Sequence, residues 1–215
     1  MTAIHETEGL VLRKLPFSET SLIFYLLTPG EGHLHFLLKG ALRQGKRRFP
    51  AVDMFRRVQV QYAESRRSDL LTARGVDLVQ AHDRIASTPA HYRTACWLGQ
   101  LALGNAVPHD PAPRLYAAVG TAFARLAGAR LPDVRPVWLA VVFVLLQEQG
   151  LLPVLDGRDP KAAHLQRMLK YAEDADAAVP EHSAATWADL AAWAIRYLRH
   201  VDLRVPDSDL PPSVD

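Results

Sequence analysis

A chain of 215 residues, 49% apolar and 22% charged, is long enough to bury one large core or two modest ones, and its usage is that of a globular protein. The net charge of +2 hides an asymmetry: residues 1–80 hold twelve Lys/Arg against eight Asp/Glu (+4), and residues 81–215 hold thirteen against fifteen (−2). Over 10–75 alone the balance is twelve to five, which points the first part of the chain at a polyanion, nucleic acid being the commonest. One cysteine, Cys96, excludes an intramolecular disulfide and a four-cysteine zinc site. The longest apolar run, Val137 to Leu146, is ten residues, about half a bilayer span, and the N-terminus lacks the signal-peptide succession. A soluble protein of a reducing cytoplasm, with no membrane partner, is expected.

Strand signals come first. Gly9–Leu15 is β-rich and broken by Pro16-Phe17-Ser18-Glu19. Ser21–Thr28 follows, closed by Pro29-Gly30-Glu31-Gly32, with His33–Lys39 as its hairpin partner. In Phe55–Ala63, Val58, Val60 and Tyr62 share one face and Arg57, Gln59 and Gln61 the other. Leu70–Val79 is a fifth strand. Five short strands in this length predict a small closed barrel over residues 1–80.

The pattern turns helical after Gln80. Ser87-Thr88-Pro89 starts a helix to about Ala106, and Asp110-Pro111 one to about Ala127. Asp133 caps the apolar Val134–Gln149, which Gly150 ends. Asp159-Pro160 opens a fourth helix to about Asp174, and Ser183 or Thr186 caps a fifth that ends near His200. These form an all-α domain over 81–205. Pro206–Asp215 has three prolines and no apolar period, and reads as a frayed tail. The helix 134–149 is apolar nearly all round, so it is expected at the centre of the bundle.

The densest chemistry is the run Lys39, Arg43, Lys46, Arg47 and Arg48, interspersed with Gly40, Gln44 and Gly45. A loop rich in donors can follow a phosphate backbone without reading sequence. Arg13, Lys14, Arg56, Arg57, Arg66, Arg67 and Arg74 add charge if they share that side. Among the aromatic residues, Phe49 beside Arg48 is the first candidate for stacking on a base and Tyr25 the second; Phe24, Phe36, Phe55 and Tyr62 read as core. His33 and His35 form an H-x-H pair on one strand face, but no cysteine or carboxylate lies at ligand spacing, so no metal is expected. His164, His182 and His200 read as isolated surface or capping residues, and Cys96 as packing. Glu148, Asp156 and Asp159 suit helix ends. With no phosphate-binding Gly loop, dinucleotide fingerprint or nucleophile elbow, neither an enzyme nor a cofactor is expected.

Several ordered motifs support a resemblance. Glu8-Gly9-Leu10-Val11-Leu12-Arg13, Phe17-Ser18-Glu19-Thr20-Ser21-Leu22, Leu26-Leu27-Thr28-Pro29 with Gly32, and Lys39-Gly40-Ala41 with Arg48-Phe49 resemble the N-terminal domain of the bacterial RecO family of recombination mediators. Phe143 through Gly150-Leu151-Leu152-Pro153 is similar to the family's "LLxxLGYxP" helix end. The resemblance implies an α+β fold, with an N-terminal five-stranded OB-fold barrel followed by an all-α helical domain. It implies a DNA repair and recombination role in the cytoplasm, at the nucleoid. It further implies binding of single- and double-stranded DNA, strand annealing, and loading of RecA together with RecR and single-strand-binding protein. The family's DNA surface is the basic face of the barrel, matched here by Lys39, Arg43 and Arg48. Many members carry a four-cysteine zinc module after the "GYxP" helix, whereas residues 154–159 contain no cysteine. A protein-interaction scaffold and an RNA-binding OB protein are the alternatives. The sequence leaves open an orthologue or a diverged paralogue.

Overall fold

The computed structural model describes residues 4–41, 51–63, 69–128, 133–153 and 160–207, the side chains of 160 and 161 excepted. Five strands, β1 (Ile4–Pro16), β2 (Leu22–Thr28), β3 (Gly32–Leu38), β4 (Arg57–Ala63) and β5 (Leu71–Gln80), precede five helices. These are α1 (Pro89–Asn105), α2 (Pro113–Ala127), α3 (Arg135–Glu148), α4 (Pro160–Glu173) and α5 (Ala184–His200). The chain divides into two compact units, Met1–Asp83 with Ala106–Tyr116, and Arg84–Asn105 with Ala117–Asp215. The connector between α1 and α2 therefore belongs with the strands, although its neighbours in sequence are helices.

The first unit is a closed barrel in the order β1-β2-β3-β5-β4. All its pairings are antiparallel except β3 with β5, where Phe36 faces Leu71 and Leu37 faces Thr72. β1 is longer than its apolar run suggests because it serves two partners. Its first half, Ile4–Leu10, pairs with β4, and its second half, Leu10–Pro16, pairs with β2. Gly9 lies at the changeover: a Cβ there would come 2.9 Å from the Leu27 carbonyl oxygen. A bulge at Leu12 then resets the register, so that Arg13 stands opposite Tyr25.

Strict alternation fills the barrel. Leu22, Phe24 and Leu26 of β2 and Leu34, Phe36 and Leu38 of β3 point inward with Val58, Val60 and Tyr62 of β4. The Phe24 and Phe36 rings stack at 5.3 Å, and Tyr62 meets Phe36 edge-on at the same separation. Phe55, expected inside the fourth strand, precedes it. Its φ of 67° makes a left-handed corner whose N–H donates to the Val11 carbonyl, and its ring is buried. The β2–β3 turn is built on Thr28, whose hydroxyl donates to the Gly32 carbonyl and accepts from the Glu31 N–H. Gly32 has φ 58°, which its lack of a side chain permits. The connector clamps this turn: His109 N–H donates to Glu31, and Ala112 N–H to Pro29.

In the second unit α3 is central, as its composition requires, with every residue from Arg135 to Leu146 buried. It packs against α1, α4 and α5, and Trp97 of α1 meets Trp138 edge-on at 5.4 Å. Asp133 supports the start of α3 from one position further out than expected. Val134 is the cap residue, while the Asp133 carboxylate accepts from the Arg135 N–H at 2.8 Å and binds its guanidinium. Ser183 caps α5 by accepting from the Thr186 N–H. α2 starts at Pro113, since Asp110 to Ala112 are drawn into the connector. No helix among the described residues is long and apolar enough to cross a membrane.

Candidate nucleic-acid interface

The barrel's pleat decides which side chains reach its outer surface. On β2 and β3 the outward set is Ile23, Tyr25, His33, His35 and Leu37, all half-buried. The register aligns Arg13 of β1, Tyr25 of β2 and His35 of β3 as one cross-strand row. Within it, the Arg13 guanidinium lies 5.6 Å from the Tyr25 ring centre, and Tyr25 and His35 meet at 5.5 Å with planes at 73°. His33 follows at 6.3 Å from His35 and is oriented by a 2.7 Å bond between its Nδ1 and the Ala106 carbonyl. That bond ties the His33 ring to the connector after α1. Burial first, and then the neighbouring His33, pull the His35 pKa below the ordinary 6.5, so its ring is neutral at neutral pH.

The cations separate by their partners. Lys14 is paired with Asp53, whose carboxyl also accepts from the Met54 N–H. Arg56 makes a two-pronged bond to Asp83, at 2.8 and 2.7 Å, and Arg57 lies 3.5 Å from Glu8. The Arg56 bond holds the Asp83 carboxyl below the ordinary carboxylate range. These three side chains are already neutralised within the unit. By contrast Arg13, Lys39 and Arg74 are exposed and pair with no carboxylate among the described residues. They lie on three strands or strand ends, β1, the end of β3 and β5, which are consecutive with β2 around the barrel. Arg43, Lys46, Arg47, Arg48, Phe49, Arg66 and Arg67 lie outside the described residues.

Sequence reasoning named Tyr25 and the two histidines separately and missed that they line up with Arg13. The signal was the β2–β3 hairpin spacing, which sets Tyr25 against His35; the Leu12 bulge that brings Arg13 to them had no signature.

In the helical unit the expectation of isolated histidines is corrected. His182 Nε2 lies 2.8 Å from Nδ1 of His164, and His182 also meets Trp187 edge-on at 4.8 Å. His182 precedes α5, which explains the contact: the chain folds back over α4 before Ser183 starts the helix. A cavity of about 490 Å³ opens beside His164, lined by Phe143, Leu165, Leu190 and Trp193 with Thr186 and Asp189. Cys96 is half-buried, and burial pushes its thiol pKa up, as suits a packing residue. The described residues form no group of three or more His, Cys, Asp or Glu able to hold a metal. Cys96 alone does not fit the zinc of a four-cysteine module.

A closed five-stranded barrel with this strand order, followed in sequence by five helices, defines an α+β protein with an N-terminal OB-fold unit and an all-α unit. Residues 1–82 match the family model described as recombination protein O, N-terminal. The protein named DNA repair protein RecO of Exiguobacterium sibiricum is 30% identical over 154 residues, which cover 72% of this chain and 60% of the relative. That of Stenotrophomonas maltophilia is 29% identical over 125 residues, covering 58% of this chain and 51% of the relative. Residues 1–82 belong to the family of recombination protein O N-terminal domains, and the similarity to these two RecO proteins extends beyond them. The chain spans between half and three fifths of the length of these relatives.

Proposed function

We propose that this chain is a non-enzymatic DNA-binding protein of recombinational repair. It takes single- and double-stranded DNA on the barrel, promotes annealing, and acts with RecR and single-strand-binding protein in loading RecA. The observation that carries the reading is the coincidence of the RecO N-terminal match with a barrel whose exposed Arg13, Lys39 and Arg74 pair with no carboxylate among the described residues. Unpaired cations are those that can release counterions from a phosphate backbone, which is where affinity for DNA arises. Arg43, Lys46, Arg47 and Arg48 follow Lys39 closely in sequence and add four charges to that set.

The test is a fluorescence-anisotropy titration of single-stranded DNA, duplex DNA and RNA across a salt series. Neutralising Arg43, Lys46, Arg47 and Arg48 together to Gln is expected to weaken DNA binding at least tenfold at low salt. It is expected to flatten the log–log salt slope by about 3. Equal binding by the variant and wild type at every salt concentration overturns the assignment of the loop. A marked preference for RNA would favour an RNA-binding protein, and retention of protein partners with no nucleic acid bound would favour a scaffold.

A further inference from the structure

We infer that the row Arg13, Tyr25 and His35 on the outer face of β1–β3 is a stacking subsite for an unpaired nucleobase, and that it makes the barrel distinguish single strands from duplex. The inference rests on the proposed DNA binding and deepens it.

Three observations carry it. First, the row is aligned by backbone register: Arg13 faces Tyr25 and Tyr25 faces His35, so three planar groups stand side by side on one sheet surface. Secondly, their polar tips are unspent. The Tyr25 hydroxyl and both ring nitrogens of His35 have no hydrogen-bond partner among the described residues, whereas His33 beside them is tied to Ala106 and the core Tyr62 to Glu31. Thirdly, the row is only half-covered, with Tyr25 and His35 half-buried and Arg13 exposed. Aromatic rings left partly in water gain by covering their faces, and a base offers a planar surface with edge donors and acceptors that the free tips can bind. Burial keeps the His35 ring neutral at neutral pH, so covering it desolvates no charge there. Arg13 supplies the positive charge beside the rings, suited to a guanidinium–base stack and to the adjoining phosphate.

The geometry selects the ligand. Bases inside a duplex are stacked on one another and present only edges in the grooves, so their faces are closed to a row of rings on the barrel's outer surface. The faces of a single strand are open. Phosphate contacts by Lys39 and Arg74 serve both forms equally, and the row adds an increment for the single strand alone.

The experiment compares a single-stranded oligonucleotide, an abasic strand of the same length and a duplex, on the full chain. It includes wild type, Tyr25→Leu with His35→Leu, and Tyr25→Phe. Wild type is expected to bind the base-bearing strand at least about fivefold more tightly than the abasic one. The double Leu variant should bring the two together, with duplex affinity unchanged, and Tyr25→Phe should keep most of the difference. In wild type, a strand carrying 5-iodouracil should photocrosslink to the peptide containing Tyr25 or His35, a readout independent of how the variants fold. A base-bearing advantage that survives the double substitution, or crosslinks confined to other peptides, overturns the inference. Equal binding of the base-bearing and abasic strands by wild type also overturns it while leaving DNA binding intact. Failure of wild type to bind any of the three overturns the DNA-binding reading itself.

Discussion

His164 illustrates how a single half-buried ring ties stability to pH. Its pKa is pulled from 6.5 down to about 4, by burial first, then by His182 and Arg167. In the unfolded chain the ring takes its proton as pH falls through 6.5, whereas in the folded chain it waits until about 4. The unfolded state therefore gains protons first, and stability, intact above pH 6.5, declines between 6.5 and about 4. Discounted for the part of the ring that faces solvent, the loss is about 1 to 2 kcal/mol. Urea denaturation at a series of pH values should show this decline in wild type. In His164→Leu the stability difference between pH 7 and 4 should shrink by that amount; an unchanged difference would place the pH sensitivity elsewhere. The residue scale also divides the cations. Arg56 and Arg74 read alike in the sequence, yet one is bonded twice to Asp83 and the other is exposed without a partner among the described residues. Which basic residue can meet a phosphate is decided by the carboxylates that the fold brings near it.

At the scale of elements, the β2–β3 hairpin and the connector after α1 depend on each other. Gly32 sits at φ 58°, where a Cβ would overlap the Val107 carbonyl oxygen and come within 2.7 Å of that of Asp110. Gly32→Ala must therefore displace the connector as well as strain the turn. A destabilisation of about 2 to 5 kcal/mol is expected in chemical denaturation. Gly30→Ala in the same turn, where an added Cβ meets nothing within 4 Å, should stay within about 0.5 kcal/mol of wild type. Equal effects from the two substitutions would show that the connector is not held by this turn. The helix starts show a similar dependence. The Asp-Pro at 110–111 carries an ordinary start signal, but Ala112 N–H bonds to Pro29 and the helix begins at Pro113. Arg125 of α2 shows the converse at a helix end: its guanidinium covers the Tyr171 ring at 3.7 Å and donates to the Tyr171 carbonyl in the last turn of α4 and to the Asp174 and Ala177 carbonyls beyond it.

For the molecule as a whole, the charge asymmetry makes a directional statement about DNA. Residues 1–80 carry +4 and residues 81–215 carry −2, so the attraction for a polyanion belongs to the strand-bearing part. Lys39→Gln with Arg74→Gln should weaken binding of duplex and single strand alike and lower the salt slope by about 1.5. Arg196→Gln with Arg199→Gln, exposed on α5 in the helical unit, should leave both affinities within about twofold. Titration of the two double variants at matched salt decides the matter; an equal loss from both would spread the interface over the whole chain.

Local chemistry was legible to a large extent. Alternation at Val58, Val60 and Tyr62, the Pro29–Gly32 turn, the apolar wrap of Val137–Leu146 and the Ser183 cap each fixed an element, because each depends on neighbours within a few residues. The family motifs at Glu8-Gly9 and Thr28-Pro29 also proved to mark close approaches, of β1 to β2 and of the hairpin to the connector. By itself, then, the sequence determined the order of strands and helices, the barrel, the basic bias of its part of the chain and the likeness of residues 1–82 to the RecO N-terminal domain. Only the tertiary structure decided that β1 serves two partners, that residues 106–116 return to the barrel, that Lys14 and Arg56 are neutralised, and that Arg13, Tyr25 and His35 form one row. Each of those is a relation between residues distant in sequence, set by strand register, a bulge or a bonded carboxylate. Periodicity and propensity are local and carry no record of such pairings.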